Sequence, residues 1–158
     1  MPEALGPPTA VRDPGSFRDP AGHVHRCGDA VYRSINPAAL AGFLQLHDSG
    51  LLDALVAQGQ LIGYQLLAAD APLPAGLAGA RGEQPARVLR HPKLPFWSYP
   101  YEWTFGQLKD AALAHLALQV AAFDRGAVLS DATPYNLQFI DGRVVHIDLP
   151  SLRPWREG

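Results

Sequence analysis

The dipeptide Asp141-Gly142 is the feature that most constrains the fold of this chain. It lies between two short apolar runs, and Asp-Gly is one of the strongest short signals for a two-residue β-hairpin turn. We therefore predict strands over Asn136–Ile140 and Arg143–Ile147. Because the second strand of a hairpin folds back along the first, Asn136 and Asp148 are expected to lie close together in space.

A second hairpin signal stands nearer the N-terminus. Two short runs, Phe17–Arg26 and Ala30–Ile35, flank Cys27-Gly28-Asp29, and Gly and Asp favour the positive φ of tight turns. Asn36-Pro37 follows and predicts a helix start, with Asn as the cap and Pro at the first helical position.

The longest helix is predicted over Phe105–Asp124, with Thr104 as its cap and Gly126 just beyond its end. A surface helix of a globular protein turns its apolar stripe toward the core. We therefore expect the apolar stripe of this helix to be buried. The stripe comprises Phe105, Leu108, Ala112, Leu116, Val120 and Phe123.

Length and element types indicate one α+β domain. The chain has 158 residues, which suits a single domain. Residues 1–15 contain four Pro and two Gly and no apolar period, so we expect a disordered leader there and a single domain over 16–158. Strand and helix patterns alternate irregularly from residue 16 onward.

Charge and composition exclude several classes of function. The net charge is −2, from 13 Lys+Arg and 15 Asp+Glu, so a non-specific nucleic-acid surface is not expected. No apolar run reaches the length of about 18 residues that a membrane-spanning helix needs. The single Cys27 excludes an intrachain disulfide. The first residues lack a basic start and an apolar centre, so we expect a cytoplasmic protein without nucleic-acid or membrane partners.

Three oxygen-bearing side chains near the C-terminus suggest chemistry. Asp131 stands in the loop after the long helix, Asn136 follows five residues later, and Asp148 ends the hairpin. Mg²⁺ prefers oxygen ligands and keeps several waters, so Asn136 and Asp148 with phosphates would suffice. Asp131 would then orient a substrate hydroxyl, as phosphoryl transfer requires. Asp and Asn also occupy turns without any chemistry, and this alternative stays open.

The pattern Asp131-x-x-x-x-Asn136 followed by Asp148 resembles the catalytic loop and metal-binding Asp of the protein-kinase-like superfamily, most closely the aminoglycoside-phosphotransferase type. The resemblance implies a partial protein-kinase-like fold over 16–158 that binds ATP and Mg²⁺. It implies Asp131 as the catalytic residue and Asn136 and Asp148 as metal ligands. It also implies a hinge-like linker near 93–104.

The same resemblance places three further residues at the nucleotide. Tyr99 and Glu102 fall in the hinge-like linker, where aromatic residues either stack an adenine or simply pack in the core, and where Glu102 is otherwise solvated. Arg33 stands at the strand position where kinases carry a Lys, and is either a phosphate contact or a solvated strand residue.

Departures from the kinase pattern leave enzymatic activity open. The stretch Pro37–Gly59 holds no Glu to pair with a strand Lys, and Leu149-Pro150 stands where Phe-Gly is usual. Ten residues follow Asp148, so we expect a truncated domain, completed by a downstream domain or a partner chain. The alternative function is a non-catalytic regulatory or interaction module.

Longer strings resemble the N-terminal region of a bacterial family labelled class I SAM-dependent methyltransferase or nodulation-protein-like. That resemblance implies a downstream methyltransferase domain, and a SAM cofactor only if such a domain exists. The Gly-rich turn that binds SAM in Rossmann-like domains is absent from these 158 residues. The strings are Ser16–Gly22, Tyr32–Asn36, Ser98–Trp103, Gln107–Ala112 and Asp131–Asn136.

Overall fold

The computed structural model describes residues 9–16, 19–77 and 85–157. The chain divides into two compact units. The first takes the residues up to Leu40 together with Tyr64–Lys93, and the second takes Ala41–Gly63 together with the residues from Leu94 onward.

The first unit contains a five-stranded antiparallel sheet with the order β1-β2-β3-β5-β4. Its strands are β1 (Val11–Arg12), β2 (Val24–Cys27), β3 (Ala30–Ile35), β4 (Gln65–Leu66) and β5 (Arg87–Pro92). The central strand β3 pairs with β2 on one side and with β5 on the other. A short 3-10 helix, Pro14–Ser16, follows β1.

The predicted N-terminal hairpin is confirmed as β2–β3. Cys27 pairs with Ala30, which leaves Gly28 and Asp29 as the two turn residues. Gly28 has a φ of +56°, a conformation that costs glycine little. The first strand is shorter than predicted, and the predicted residues Phe17 and Arg18 lie outside the described part of the chain.

Two residues of the predicted disordered leader, Val11 and Arg12, form a strand. Val11 and Arg12 pair with Arg26 and His25, so β1 adds an edge strand to the sheet. Ala10 is buried in a small apolar cluster that also includes Leu77. Residues 1–8 of the predicted leader lie outside the described residues. The Pro-rich composition did not reveal this pairing because a strand pair joins positions that are distant in sequence.

A close backbone approach packs the entry to β2. Gly22 is buried, and a Cβ at this position would overlap the backbone carbonyl of Ser34. The Ser34 N–H donates to His23 O at 2.9 Å, and the Ser34 hydroxyl accepts from His23 N at 2.9 Å. Only glycine fits here without moving β3.

The second unit is built around helices. Helix α1 (Pro37–Asp48) begins in the first unit and ends in the second, where α2 (Leu51–Ala57) and α3 (Phe105–Phe123) follow. Gly50, with a φ of +73°, separates α1 from α2. Four strands complete the unit: β6 (Ala127–Leu129), β7 (Leu137–Ile140), β8 (Arg143–His146) and β9 (Leu152–Pro154). Short 3-10 helices cover Pro100–Glu102, Pro134–Asn136 and Leu149–Ser151.

The predicted C-terminal hairpin is confirmed as β7–β8. Ile140 pairs with Arg143, and the two turn residues have positive φ values, +49° at Asp141 and +76° at Gly142. This is the geometry of a type I′ turn, which Asp-Gly favours. The other antiparallel pair of this unit joins β6 to β9.

The predicted ends of α3 are confirmed, and its predicted buried face is wrong. Thr104 Oγ1 accepts from Gln107 N, and Gln107 Oε1 accepts from Thr104 N at 2.9 Å, which forms a capping box. Gly126 has a φ of +71° just beyond the helix. The buried residues of α3 are Ala111, Leu118 and Ala122. The whole predicted stripe is exposed, because two of these three buried residues are alanines, and small side chains let the core approach the other side of the helix.

The structure is therefore a mixed α and β chain, with a five-stranded antiparallel sheet and three α-helices in the part it describes. This agrees with the α+β prediction. Within the same residues, no helix is both long and apolar enough to cross a bilayer.

Candidate functional site

The base of the β7–β8 hairpin brings positions 136 and 148 to one end of the ribbon. Leu137 pairs with His146, and Ile147 N donates to Asn136 O at 2.8 Å. Asn136 ends the 3-10 helix Pro134–Asn136 that leads into β7, and Asp148 follows directly after Ile147. Asn136 and Asp148 are both half-buried. The turn signal at the other end of the hairpin thus determines which polar residues meet here.

The loop before the hairpin is tied to Asn136. Asn136 Nδ2 donates to Asp131 O at 3.2 Å, and Thr133 N donates to Asp131 Oδ1 at 3.2 Å. The second contact is an Asx turn, the structural role that Asp often takes in loops. Asp131 is exposed. Its carboxylate therefore has both a local structural contact and access to solvent.

A network of serine and histidine side chains supports the other side of the site. Ser130 donates through both N and Oγ to Ser151 O, at 2.7 and 2.8 Å. Ser151 Oγ in turn donates to Asp148 O at 2.7 Å. His146 Nε2 lies 2.8 Å from Ser151 Oγ and 3.0 Å from Asp148 O. The backbones on both sides of the candidate site are thus linked through Ser151.

His115 of α3 is a site neighbour that the sequence pattern did not indicate. Its ring centroid lies 5.7 Å from that of His146. Burial lowers the pKa of His115, while the negative charge of Asp131 acts in the opposite direction. Its Nε2 atom is buried without a hydrogen-bond partner among the described residues. No local signal could have found it, because the contact depends on how α3 packs on the hairpin.

Tyr99 and Glu102, in the segment predicted as a hinge-like linker and called the connector below, are joined in a local turn. Tyr99 N donates to Glu102 Oε2 at 2.7 Å across the 3-10 helix Pro100–Glu102. The rings of Tyr99 and Tyr101 stack, with centroids 5.4 Å apart and planes within 4°. Tyr99 and Tyr101 are 47% and 74% exposed, so they form an aromatic surface and not a part of the core.

Gln138 fixes this connector to β7. Its side chain accepts from Ser98 N at 3.0 Å and donates to Ser98 O at 2.9 Å. Gln138 is 3% exposed, so both hydrogen bonds are shielded from water. Trp103 Nε1 donates to Ser98 Oγ at 2.9 Å, and the Trp103 ring packs edge-on against Phe139. The connector and the hairpin that carries Asn136 therefore form one supported substructure.

Arg33 belongs to the first unit, where the structure corrects one of its two predicted roles. It is 8% exposed, so it is not a solvated strand residue. Its Nη1 lies 3.2 Å from Asp19 Oδ2, which supplies a carboxylate partner within the same unit. The prediction that Arg33 contacts phosphate stays a prediction.

A cleft of about 260 Å³ opens in the second unit. It is lined by the segment 58–60 and by residues of α3, β7 and β8, including Leu118, Arg143 and His146. Asp131, Asn136 and Asp148 are not among its lining residues. Within the described ranges, no group of three or more His, Cys, Asp or Glu side chains is placed to hold a metal ion. A cation held by the predicted ligands Asn136 and Asp148 would therefore need further ligands from water or from a bound molecule.

Comparison with known proteins gives one informative match. The chain is similar to the protein described as "Nodulation protein NoeA" of Rhizobium meliloti (strain 1021), with 41% identity over 151 residues. The match covers 96% of this chain and 30% of the relative, so the chain spans less than a third of that protein's length. No family model matches the chain. The relative's description speaks of nodulation and of neither phosphoryl nor methyl transfer.

Proposed function

We propose that this chain is a kinase-like module that binds a nucleotide with Mg²⁺, within a nodulation-related protein of the SAM-dependent methyltransferase type. The observation that carries the proposal is the hydrogen bonding of Asn136. The side-chain amide of Asn136 donates to the backbone carbonyl of Asp131. The backbone carbonyl of Asn136 accepts from the N–H of Ile147, the residue before Asp148. These contacts support the proposal because they link the backbone at Asp131, Asn136 and Ile147, the neighbour of Asp148.

The donor atoms at this site suit a hard cation. Asn136 Nδ2 is engaged with Asp131 O, so Oδ1 is the atom of that amide that can face a ligand. Asn136 Oδ1 and the Asp148 carboxylate would hold Mg²⁺, which when bound neutralises charge on the phosphates. Asp131, exposed in the adjoining loop, would accept a hydrogen bond from a substrate hydroxyl and orient it.

Chain order supports the partial protein-kinase-like fold. An antiparallel sheet with one hairpin and a following helix comes first, and the sheet unit ends at Lys93, where the predicted hinge-like linker begins. The exposed aromatic Tyr99 and the neighbouring Glu102 follow in that linker, where they would contact the base. Arg33 lies in the first unit beside Asp19, and the roles proposed above for the metal ion and the substrate hydroxyl use residues of the second unit alone.

A second candidate function is a non-catalytic regulatory or interaction module. It is favoured by the local contacts of two candidate residues. Asp131 Oδ1 accepts from Thr133 N, and Glu102 Oε2 accepts from Tyr99 N. Each carboxylate thus has a structural task that does not require a ligand.

Titration calorimetry of the whole chain with ATP, with and without Mg²⁺, tests the proposal. We expect Mg²⁺-dependent binding that Asp148→Asn weakens at least tenfold, because a metal-bound carboxylate is replaced by a neutral amide. Asp141→Asn is the matched control. It makes the same change in charge at the exposed turn of the same hairpin, where Asn tolerates positive φ.

Absence of binding heat, together with a melting temperature unchanged by ATP and Mg²⁺, would overturn the nucleotide proposal and leave the non-catalytic module. Equal weakening by both variants would assign the effect to general charge and not to a metal ligand.

A further inference from the structure

Helix α3 carries a second apolar face that points away from the core of its own unit. Phe105 is 83% exposed, and the other large members of the face are between 43% and 64% exposed. We call this set the outer face of α3. It consists of Phe105, Leu108, Leu113, Leu116, Val120 and Phe123, with Trp155 beside its C-terminal end.

The geometry of the helix makes this face continuous. With 3.6 residues per turn, the six helical members fall within an arc of about 140° along the whole of α3. The buried residues Ala111, Leu118 and Ala122 lie on the other side of the helix. Phe123 and Trp155 pack edge-to-face with centroids 6.0 Å apart, which extends the face beyond the helix. Lys109 lies within the arc, and its aliphatic stem can cover apolar surface while its charge stays in water.

The area of the face is that of an interface. At the exposures given above, its seven side chains present on the order of 700 Å² of largely apolar surface, taking ordinary side-chain areas of about 150–250 Å². The largest apolar patch on a typical monomer is roughly 300–600 Å², whereas a specific complex buries about 800 Å² on each partner. Single exposed apolar residues need no explanation, but this contiguous stripe does.

We propose that the outer face of α3 is the docking surface for the remaining polypeptide of a NoeA-like protein, the part that has no counterpart in this chain. The relative carries the region similar to this chain as 30% of its length, at 41% identity. A region of this kind thus occurs joined to a polypeptide more than twice its size, which supplies an occupant for the face. The proposal does not rest on the nucleotide proposal.

Thiol accessibility tests this assignment residue by residue. Leu116→Cys places a thiol in the middle of the face, and Leu113→Cys is a second variant one turn earlier. Ala117→Cys is the matched control, because Ala117 is exposed on the same turn of α3 but outside the arc. The native Cys27 is buried, so it contributes little labelling. Maleimide labelling rates are measured by peptide mass spectrometry in this chain and, at the aligned positions, in the complete Rhizobium meliloti protein.

All three thiols are expected to label at similar rates in this chain. In the complete relative, labelling at the positions aligned with Leu113 and Leu116 should slow at least tenfold, with the control unchanged. Equal labelling of test and control positions in the relative would overturn the proposal. Protection of the Leu116→Cys thiol in this chain that grows with protein concentration would also overturn it, because the occupant would then be a second copy. Added ATP and Mg²⁺ should change none of these rates.

Discussion

The two β-hairpins of this chain share a turn length and differ in what holds them. In β2–β3 each strand has a further partner, since β1 pairs with β2 and β5 pairs with β3. In β7–β8 the two strands form a sheet of their own among the described residues. An isolated two-stranded ribbon is marginally stable in water. The second hairpin must therefore draw its stability from contacts other than strand pairing.

Those contacts are both apolar and polar. Leu137 of β7 is buried in an apolar cluster with Trp103 and Ala111. Gln138 of β7 makes two hydrogen bonds to Ser98, and His146 of β8 lies within hydrogen-bond distance of Ser151. The backbone of His146 also exchanges hydrogen bonds with the 60–62 segment, at 2.8 and 2.9 Å. The comparison teaches that two-residue turns can lead to a sheet element in one place and to a ribbon supported by packing and side-chain hydrogen bonds in another. The candidate site lies at the base of the β7–β8 hairpin, which is of the second kind.

The largest expected effect tests the backbone packing of the first hairpin. Gly22→Ala should lower the free energy of unfolding by about 3 kcal/mol, because the added methyl overlaps the Ser34 carbonyl and β3 must shift. Urea denaturation measures the loss. Gly63→Ala is the control, since a Cβ there meets no atom within 4 Å. Similar stabilities for the two variants would show that the entry to β2 is looser than described.

The next effect tests whether side chains support the second hairpin. Gln138→Leu keeps the volume of the side chain and leaves Ser98 N–H and C=O without their partner, which should cost about 2 kcal/mol. Gln65→Leu, on the exposed surface of β4, should change stability by less than about 0.5 kcal/mol. Hydrogen exchange should show faster opening of β7–β8 only in the first variant. Unchanged exchange there would remove the contrast between the hairpins.

The smallest effect concerns pH and involves one histidine at each hairpin. Burial is the main cause that lowers the pKa of His25 in β2 and of His115 against His146 below the ordinary value of 6.5. The unfolded rings bind protons at a higher pH than the folded rings do, so unfolding takes up protons. Their contribution to stability is fully present above about pH 6.5 and is lost as the pH falls below it.

Thermal melts between pH 7.5 and 5 measure this loss. His25→Gln and His115→Gln should each make the melting temperature less dependent on pH in this range. A slope that neither substitution changes would mean that other groups cause the acid sensitivity.

Short sequence patterns correctly predicted the turns and the helix ends, which depend on neighbouring residues. Both hairpins, the Thr104 cap and the glycine after α3 depend on a few neighbouring residues, and the sequence predicted each of them. The edge strand β1 was missed because its partner, β2, lies more than ten residues further along the chain. The core-facing side of α3 was predicted wrongly because the helix is apolar on two sides, and small alanines allow the closer packing.

In the candidate site, too, the local features could be predicted from the sequence and the long-range contacts could not. The meeting of positions 136 and 148 follows from the Asp141-Gly142 turn, so it was predictable. The link between Ser98 and Gln138 joins residues forty positions apart, and the approach of His115 to His146 spans a helix and a strand. Neither follows from any local pattern, because each depends on how separately predicted elements pack.

The position of Ser151 has a consequence for the imidazole of His146. The Ser151 hydroxyl proton is directed at Asp148 O, so the oxygen of that hydroxyl can only accept from His146 Nε2. Asp148 O, a carbonyl, likewise can only accept. In its neutral form the His146 ring must therefore carry its hydrogen on Nε2 and its lone pair on Nδ1. The fold thus selects one of two tautomers that are close in energy in water, and nitrogen NMR shifts would report that choice directly.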